Sequence, residues 1–82
     1  MTAENLPTTD VELDTCGLLC PLPVLKARKR LSQMASGDVL RVNADDPAAR
    51  VDFPHFCSEQ GHELLEEGDT PAGVLTFVIR KG

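Results

Sequence analysis

The chemistry of this chain centres on Cys20. Residues 16–25, CGLLCPLPVL, set a thiol directly before two prolines one residue apart, where a helical pattern begins. A cysteine so placed reads as the N-cap of a helix. Pro21 then takes the first helical position, where a missing N–H costs nothing, and Pro23 still falls within the first turn. Free N–H groups and the helix dipole favour negative charge at such a terminus, so a thiolate, or a persulfide anion on the same sulfur, is stabilised there. The Cys20 pKa is therefore expected below that of an ordinary cysteine. The prolines stiffen the platform, and Leu22 offers a partner an apolar contact. The competing reading, a small buried hydrophobe ahead of a plain helix start, is disfavoured by the position beside a loop.

The remaining reactive side chains are weaker candidates. Cys16 lies four residues before Cys20, which is not the Cys-x-x-Cys spacing of thioredoxin-like redox motifs. As a second thiol in a flexible loop it could attack a persulfide on Cys20, releasing sulfide and leaving a disulfide; otherwise it is a partly buried strand-end cysteine. Cys57 shares a helical stripe with Phe53 and Phe56 and reads as core. Cys16, Cys20, His55 and Cys57 match no common structural zinc spacing, so no metal is expected. His62 reads as solvated at the start of an exposed strand. Asp46 reads as a helix cap, and Asp45 beside it falls at the same sheet edge as Cys20.

The elements that must position Cys20 follow from periodicity. DVELDT alternates Val11 and Leu13 against Glu12 and Asp14, a half-buried strand. After Cys20, Val24, Ala27, Leu31 and Ala35 form one helical stripe, and Gly37 is expected to end that helix. DVLRVNA is a second strand with Leu40, Val42 and Ala44 on one face. Asp46-Pro47 and Asp52 are successive helix-start signals, and because Pro54 is unsuited to a helix interior, a short turn and then a helix from about Asp52 to Gly61 are expected. HELLEE is a short strand, GDTPAG a turn, and VLTFVIR a last strand with Leu75, Phe77 and Ile79 inward. Right-handed crossovers make the first two strands parallel and put both helices on one face. The expectation is an α/β (α+β) two-layer βαβαββ sandwich with a four-stranded mixed sheet, a mobile lead over residues 1–9 and a single domain over 10–82.

Composition narrows the function. A chain of 82 residues buries only a modest core, which disfavours a deep substrate cavity. The net charge of −5 opposes general affinity for nucleic acid or an anionic membrane surface. Yet residues 21–35 carry Lys26, Arg28, Lys29 and Arg30 and no acid, so elsewhere four basic residues face thirteen acidic ones. Lys26, Lys29 and Arg30 lie mostly opposite the apolar stripe, as a docking face for an acidic partner or as cations suited to a helix C-terminus. Three cysteines without an apolar leader point to a reducing cytoplasm. No apolar run approaches the roughly 18 residues of a membrane span.

LDTCGLLCPLPVLKARKRL, then VNADDPAARVDFPHFCSEQGHEL and a final FVIRKG, resemble the TusA/SirA family of small sulfur carriers from about Leu13 onward. The carrying motifs are Cys-Pro-x-Pro at Cys20, Pro21, Leu22 and Pro23, the preceding Leu13, Asp14 and Gly17, and the Asp45-Asp46-Pro47 turn. Leu19 departs from the pattern, since several relatives have a polar or basic residue there, and Cys16 is outside the motif. The resemblance implies a persulfide on Cys20 with Pro21, Pro23 and Gly17 in support, and no cofactor beyond that covalent sulfur. It also implies a cysteine desulfurase or rhodanese-type donor. The receiver would be another sulfur-relay protein, in 2-thiolation of tRNA wobble uridine, molybdenum-cofactor supply or sulfur oxidation. Docking would use Leu22, Lys26, Lys29 and Arg30, and the free carrier would be a monomer. Two rival classes stand beside this: a non-catalytic RNA- or protein-interaction module, since the pattern is also similar to the C-terminal domain of translation initiation factor three, and a Cys16/Cys20 thiol switch.

Overall fold

The computed structural model describes residues 11–82; the lead over residues 1–9 lies outside them. The elements are β1 (Val11–Asp14), α1 (Leu22–Ser32), β2 (Val39–Ala44), α2 (Ala49–Gln60), β3 (Glu63–Asp69) and β4 (Leu75–Arg80). One four-stranded sheet has the order β1-β2-β4-β3. β1 runs parallel to β2, and β4 pairs antiparallel with both β2 and β3. This is the expected βαβαββ two-layer sandwich with a mixed sheet.

The alternation in each strand decides which face meets the helices. Leu40, Val42 and Ala44 of β2 and Leu75, Phe77 and Ile79 of β4 are buried in one cluster with Ala27 and Leu31 of α1 and Ala49, Phe53, Phe56 and Cys57 of α2. Val11, Leu13 and Leu64 extend that layer to both edge strands. Phe53 stacks on Phe77 with ring centroids 4.6 Å apart, tying α2 to the centre of the sheet. Thr15, fully buried, donates both its amide and its hydroxyl to the Asn43 carbonyl at 2.7 and 2.6 Å, extending the β1–β2 ladder by one residue.

Both helices differ from the expectation at an end. α1 stops at Ser32, because the amides of Gln33 and Met34 turn inward to the carbonyls of Arg30 and Leu31. The Asp38 side chain takes the Ala35 amide, so Ala35 is exposed and Met34 packs on the core instead. Gly37, in the left-handed region at φ 93°, belongs to the turn into β2, where its amide reaches the Lys81 carbonyl. α2 begins earlier than expected, at Ala49, and carries Pro54 inside it. The first start signal wins: the Asp46 carboxylate and carbonyl accept the amides of Ala48 and Ala49. Pro54 costs the Arg50 carbonyl its usual i+4 donor, a loss that burial of Phe53, Phe56 and Cys57 outweighs. Gly61 ends α2 in the left-handed conformation, as expected.

Candidate functional site

Cys20 stands in the loop that joins β1 to α1, and two carboxylates from the neighbouring strand end hold that loop. The parallel pairing of β1 and β2 delivers Asp45 and Asp46 to the same sheet edge as residues 15–20. The Gly17 amide donates to both oxygens of Asp45 at 3.0 and 3.1 Å, and the Cys20 amide donates to Asp46 Oδ2 at 2.7 Å. Gly17 adopts φ 89°, which a side chain would strain. The Cys16 amide is held by Asp14 Oδ1 at 3.0 Å. Asp45 and Asp46 therefore anchor the loop, a larger role than the cap read for Asp46 alone.

Cys20 is not the N-cap. That position belongs to Pro21, α1 starts at Leu22, and no side chain caps the terminus. Pro21 follows a cis peptide bond. The difference matters because Pro21 and Pro23 have no N–H and the Leu22 amide is spent on the Leu19 carbonyl at 2.9 Å. The terminus thus has fewer free donors than the sequence argument assumed.

The electrostatics reverse the sequence-based expectation for the thiol. The Cys20 pKa is raised, first by a side-chain hydrogen bond with Asp52, then by desolvation and the charges of Asp52 and Asp46. Asp52, expected as a helix start, is instead inside α2 and lines a groove together with Cys20. Asp46 is itself lowered by the amides of Cys20 and Ala48. Like charge beside a thiolate disfavours it.

Cys20 and Asp52 share an open groove of about 300 Å³ between the start of α1 and the outer side of α2. Pro21, Val24 and Phe56 supply apolar walls, and His55 and Glu59 lie along it. Sequence reasoning missed this groove; the only signal was the i, i+3, i+7 spacing of Asp52, His55 and Glu59. Close to the exposed thiol in the chain, Leu19, Leu22 and Leu25 also present apolar surface. Lys26, Lys29 and Arg30 do not join this groove; they line a separate hollow with Leu13 and Gln33.

The other thiols divide clearly. Cys16 is exposed, and its pKa is raised by its hydrogen bond to Asp14, desolvation and the charges of Asp14 and Asp45. It does not line the Cys20 groove. Cys57 is buried, and burial pushes its pKa from 9.0 up to about 11. His62 is half-buried rather than merely solvated: its Nδ1 accepts the Gly82 amide and its ring packs on Phe56. Among the described residues no group of three or more His, Cys, Asp or Glu side chains is arranged to hold a metal ion. No helix there is long and apolar enough to cross a membrane.

In the native protein, iodoacetamide should label Cys16 and Cys20 while Cys57 stays unlabelled until unfolding, as read by peptide mass. Because the folded value of Cys57 lies above the unfolded one, its contribution to stability is intact below pH 9.0 and is lost as pH rises toward about 11. Urea midpoints should fall over that interval, and the fall should be smaller in Cys57→Ala. An unchanged fall would assign it to other groups.

Comparison with known proteins adds an independent line. The family model described as Sulfurtransferase TusA matches residues 11–81. A protein of Neisseria meningitidis serogroup A named a putative sulfur carrier protein is 50% identical over 68 residues, covering 83% of this chain and 90% of the relative. Sulfur carrier protein TusA of Allochromatium vinosum is 47% identical over 72 residues, covering 88% and 93%. The crystal structure of a SirA-like protein from Desulfitobacterium hafniense superposes with a TM-score of 0.79 at 27% identity, covering 88% of this chain and 97% of that one. With the family match spanning nearly every described residue and the βαβαββ sandwich in common, this chain is a member of the TusA sulfurtransferase family.

Proposed function

We propose that the protein is a sulfur carrier that accepts sulfane sulfur as a persulfide on Cys20 and passes it to another protein. The observation that carries this reading is an exposed thiol on a clamped loop, at an open groove and flanked along the chain by the exposed Leu19 and Leu22. Such a surface suits transfer between docked proteins. In the transfer, the Cys20 sulfur attacks the outer sulfur of a donor persulfide. The donor S–S bond breaks as the new one forms, and the departing donor thiolate takes up the proton that Cys20 gives up, with no net oxidation. A cysteine desulfurase or rhodanese-type protein is the donor, a further sulfur-relay protein the acceptor, and a reducing cytoplasm the setting that keeps the thiols free.

Mass spectrometry after incubation with a purified desulfurase and cysteine tests the reading. The expected product gains the mass of one sulfur atom, removable by dithiothreitol. Loss of two hydrogens would point to the thiol switch, and an unmodified chain with RNA affinity to the interaction module.

Lys26, Lys29 and Arg30 form a docking face for an acidic partner surface, and Leu22 adds an apolar contact nearer the sulfur. All three cations are exposed; Arg30 bonds Gln33 at 3.2 Å, and no salt bridge within the described residues engages any of them. Lys26→Glu with Lys29→Glu should raise the KM for carrier in desulfurase-driven loading roughly tenfold at low salt, with the difference shrinking as salt increases. Loading unchanged at every salt concentration, with circular dichroism intact, would leave those lysines as solvated surface.

A further inference from the structure

The groove beside Cys20 is electrostatically one-sided. Asp52 and Glu59 of α2 bring two carboxylates to its lining, and no lysine or arginine joins them. His55 is the other titratable α2 side chain along it, and Asp46 reaches the Cys20 amide from the β2–α2 turn. α1 contributes Val24, preceded by its cap Pro21, while its lysines line the separate hollow. The nucleophile of this carrier thus sits against acids of its own chain. That is the opposite of the cationic setting that activates cysteines.

We propose that Asp52 is a charge gate: its carboxylate, lining the same groove as the Cys20 thiol, disfavours the thiolate in the free carrier, and a guanidinium or ammonium group of the sulfur donor, entering the groove between Asp52 and Glu59, takes that carboxylate and frees the sulfur. The gate rests on the carrier reading. Its logic is selectivity. A thiol beside a carboxylate is held in its protonated form and reacts sluggishly with small electrophiles and oxidants. A donor that carries the matching cation relieves the repulsion at the moment of docking, so discrimination is built into the free state. The groove is open, so solvent screens that ion pair and its effect is that of an exposed contact. Asp52 shares the groove with the reacting thiol and acts on its protonation through its charge; Glu59 acts only through the incoming cation.

The test uses the full chain and its Asp52→Asn, Asp52→Glu and Glu59→Gln variants. One readout is iodoacetamide labelling of Cys20 against pH; the other is KM and kcat for carrier in loading by a purified desulfurase with cysteine. Asp52→Asn should label Cys20 about two- to five-fold faster at neutral pH, the scale of one exposed charged contact, with its rate curve displaced to lower pH. Its KM for desulfurase-driven loading should rise by a similar factor. Asp52→Glu should resemble the parent in both readouts. Glu59→Gln should raise KM without changing Cys20 labelling, which keeps the donor half testable should Asp52→Asn expose Cys57 and so report unfolding. A loosened fold would speed labelling of every cysteine, whereas the gate speeds Cys20 with Cys57 still silent. Unchanged or slower Cys20 labelling in folded Asp52→Asn overturns the gate whatever the sulfur result. Faster labelling with unchanged KM in both variants overturns the donor cation. A parent chain that takes up no sulfur from desulfurase overturns the carrier reading instead.

Discussion

Cys20→Ser is expected to abolish sulfur loading, with no mass gain after incubation with desulfurase and cysteine, while its fold and urea midpoint stay close to the parent's. The serine keeps the backbone amide that Asp46 holds at 2.7 Å and removes only an exposed sulfur. Surface substitutions of this kind shift stability by no more than about 0.5 kcal/mol. Cys57→Ser gives the converse result: normal loading, with a stability loss of roughly 1–3 kcal/mol because a hydroxyl is buried in an apolar cluster. Cys16→Ser should load normally as well, since Cys16 faces Asp14 and Asp45 rather than the groove. Peptide-resolved mass spectrometry decides all three. Loading that persists in Cys20→Ser and vanishes in Cys16→Ser would move the carrier sulfur to Cys16.

Phe53→Ala carries the largest stability effect, a loss of roughly 3–5 kcal/mol. Phe53 is fully buried, stacks on Phe77 and occupies the seam between α2 and the central strand β4. A small domain has only about 5–15 kcal/mol in total and tends to the lower end, so the variant should be largely unfolded or close to it at room temperature. The urea midpoint should collapse, and Cys57 should become available to iodoacetamide. Val51→Ala, on the exposed side of the same helix, should change the midpoint within error. A midpoint for Phe53→Ala near that of Val51→Ala would show that the stacked pair is not the centre of the core.

Folding links these two positions. Phe53 ties α2 to the sheet through its stack on Phe77, and the adjacent Asp52 stands on the same turn of helix at the groove it shares with Cys20.

Strand alternation, the helix stripes and Gly61 were readable along the chain because each is a local pattern: Val11 and Leu13, or Leu75, Phe77 and Ile79, must share a face whatever else the chain does. From those patterns came the four strands, the two helices and their layering, and Cys-Pro-x-Pro pointed to Cys20. The ends of the helices were not readable in this way. Local preference argued for a helix past Ala35 and for a second helix starting only at about Asp52, with Pro54 in its first turn, but the Asp38 side chain and the buried face of α2 overruled both. The chemical state of Cys20 lay further still from local pattern. Its thiol answers to Asp52, 32 positions on, and its amide to Asp46, 26 positions on. The parallel pairing of β1 and β2 brings Asp46 to the amide, and the packing of α2 beside the β1–α1 loop brings Asp52 to the groove of the thiol. Coulomb interactions depend on distance in space and not on distance along the chain, so a helix-terminus argument from residues 20–23 alone reached the wrong sign.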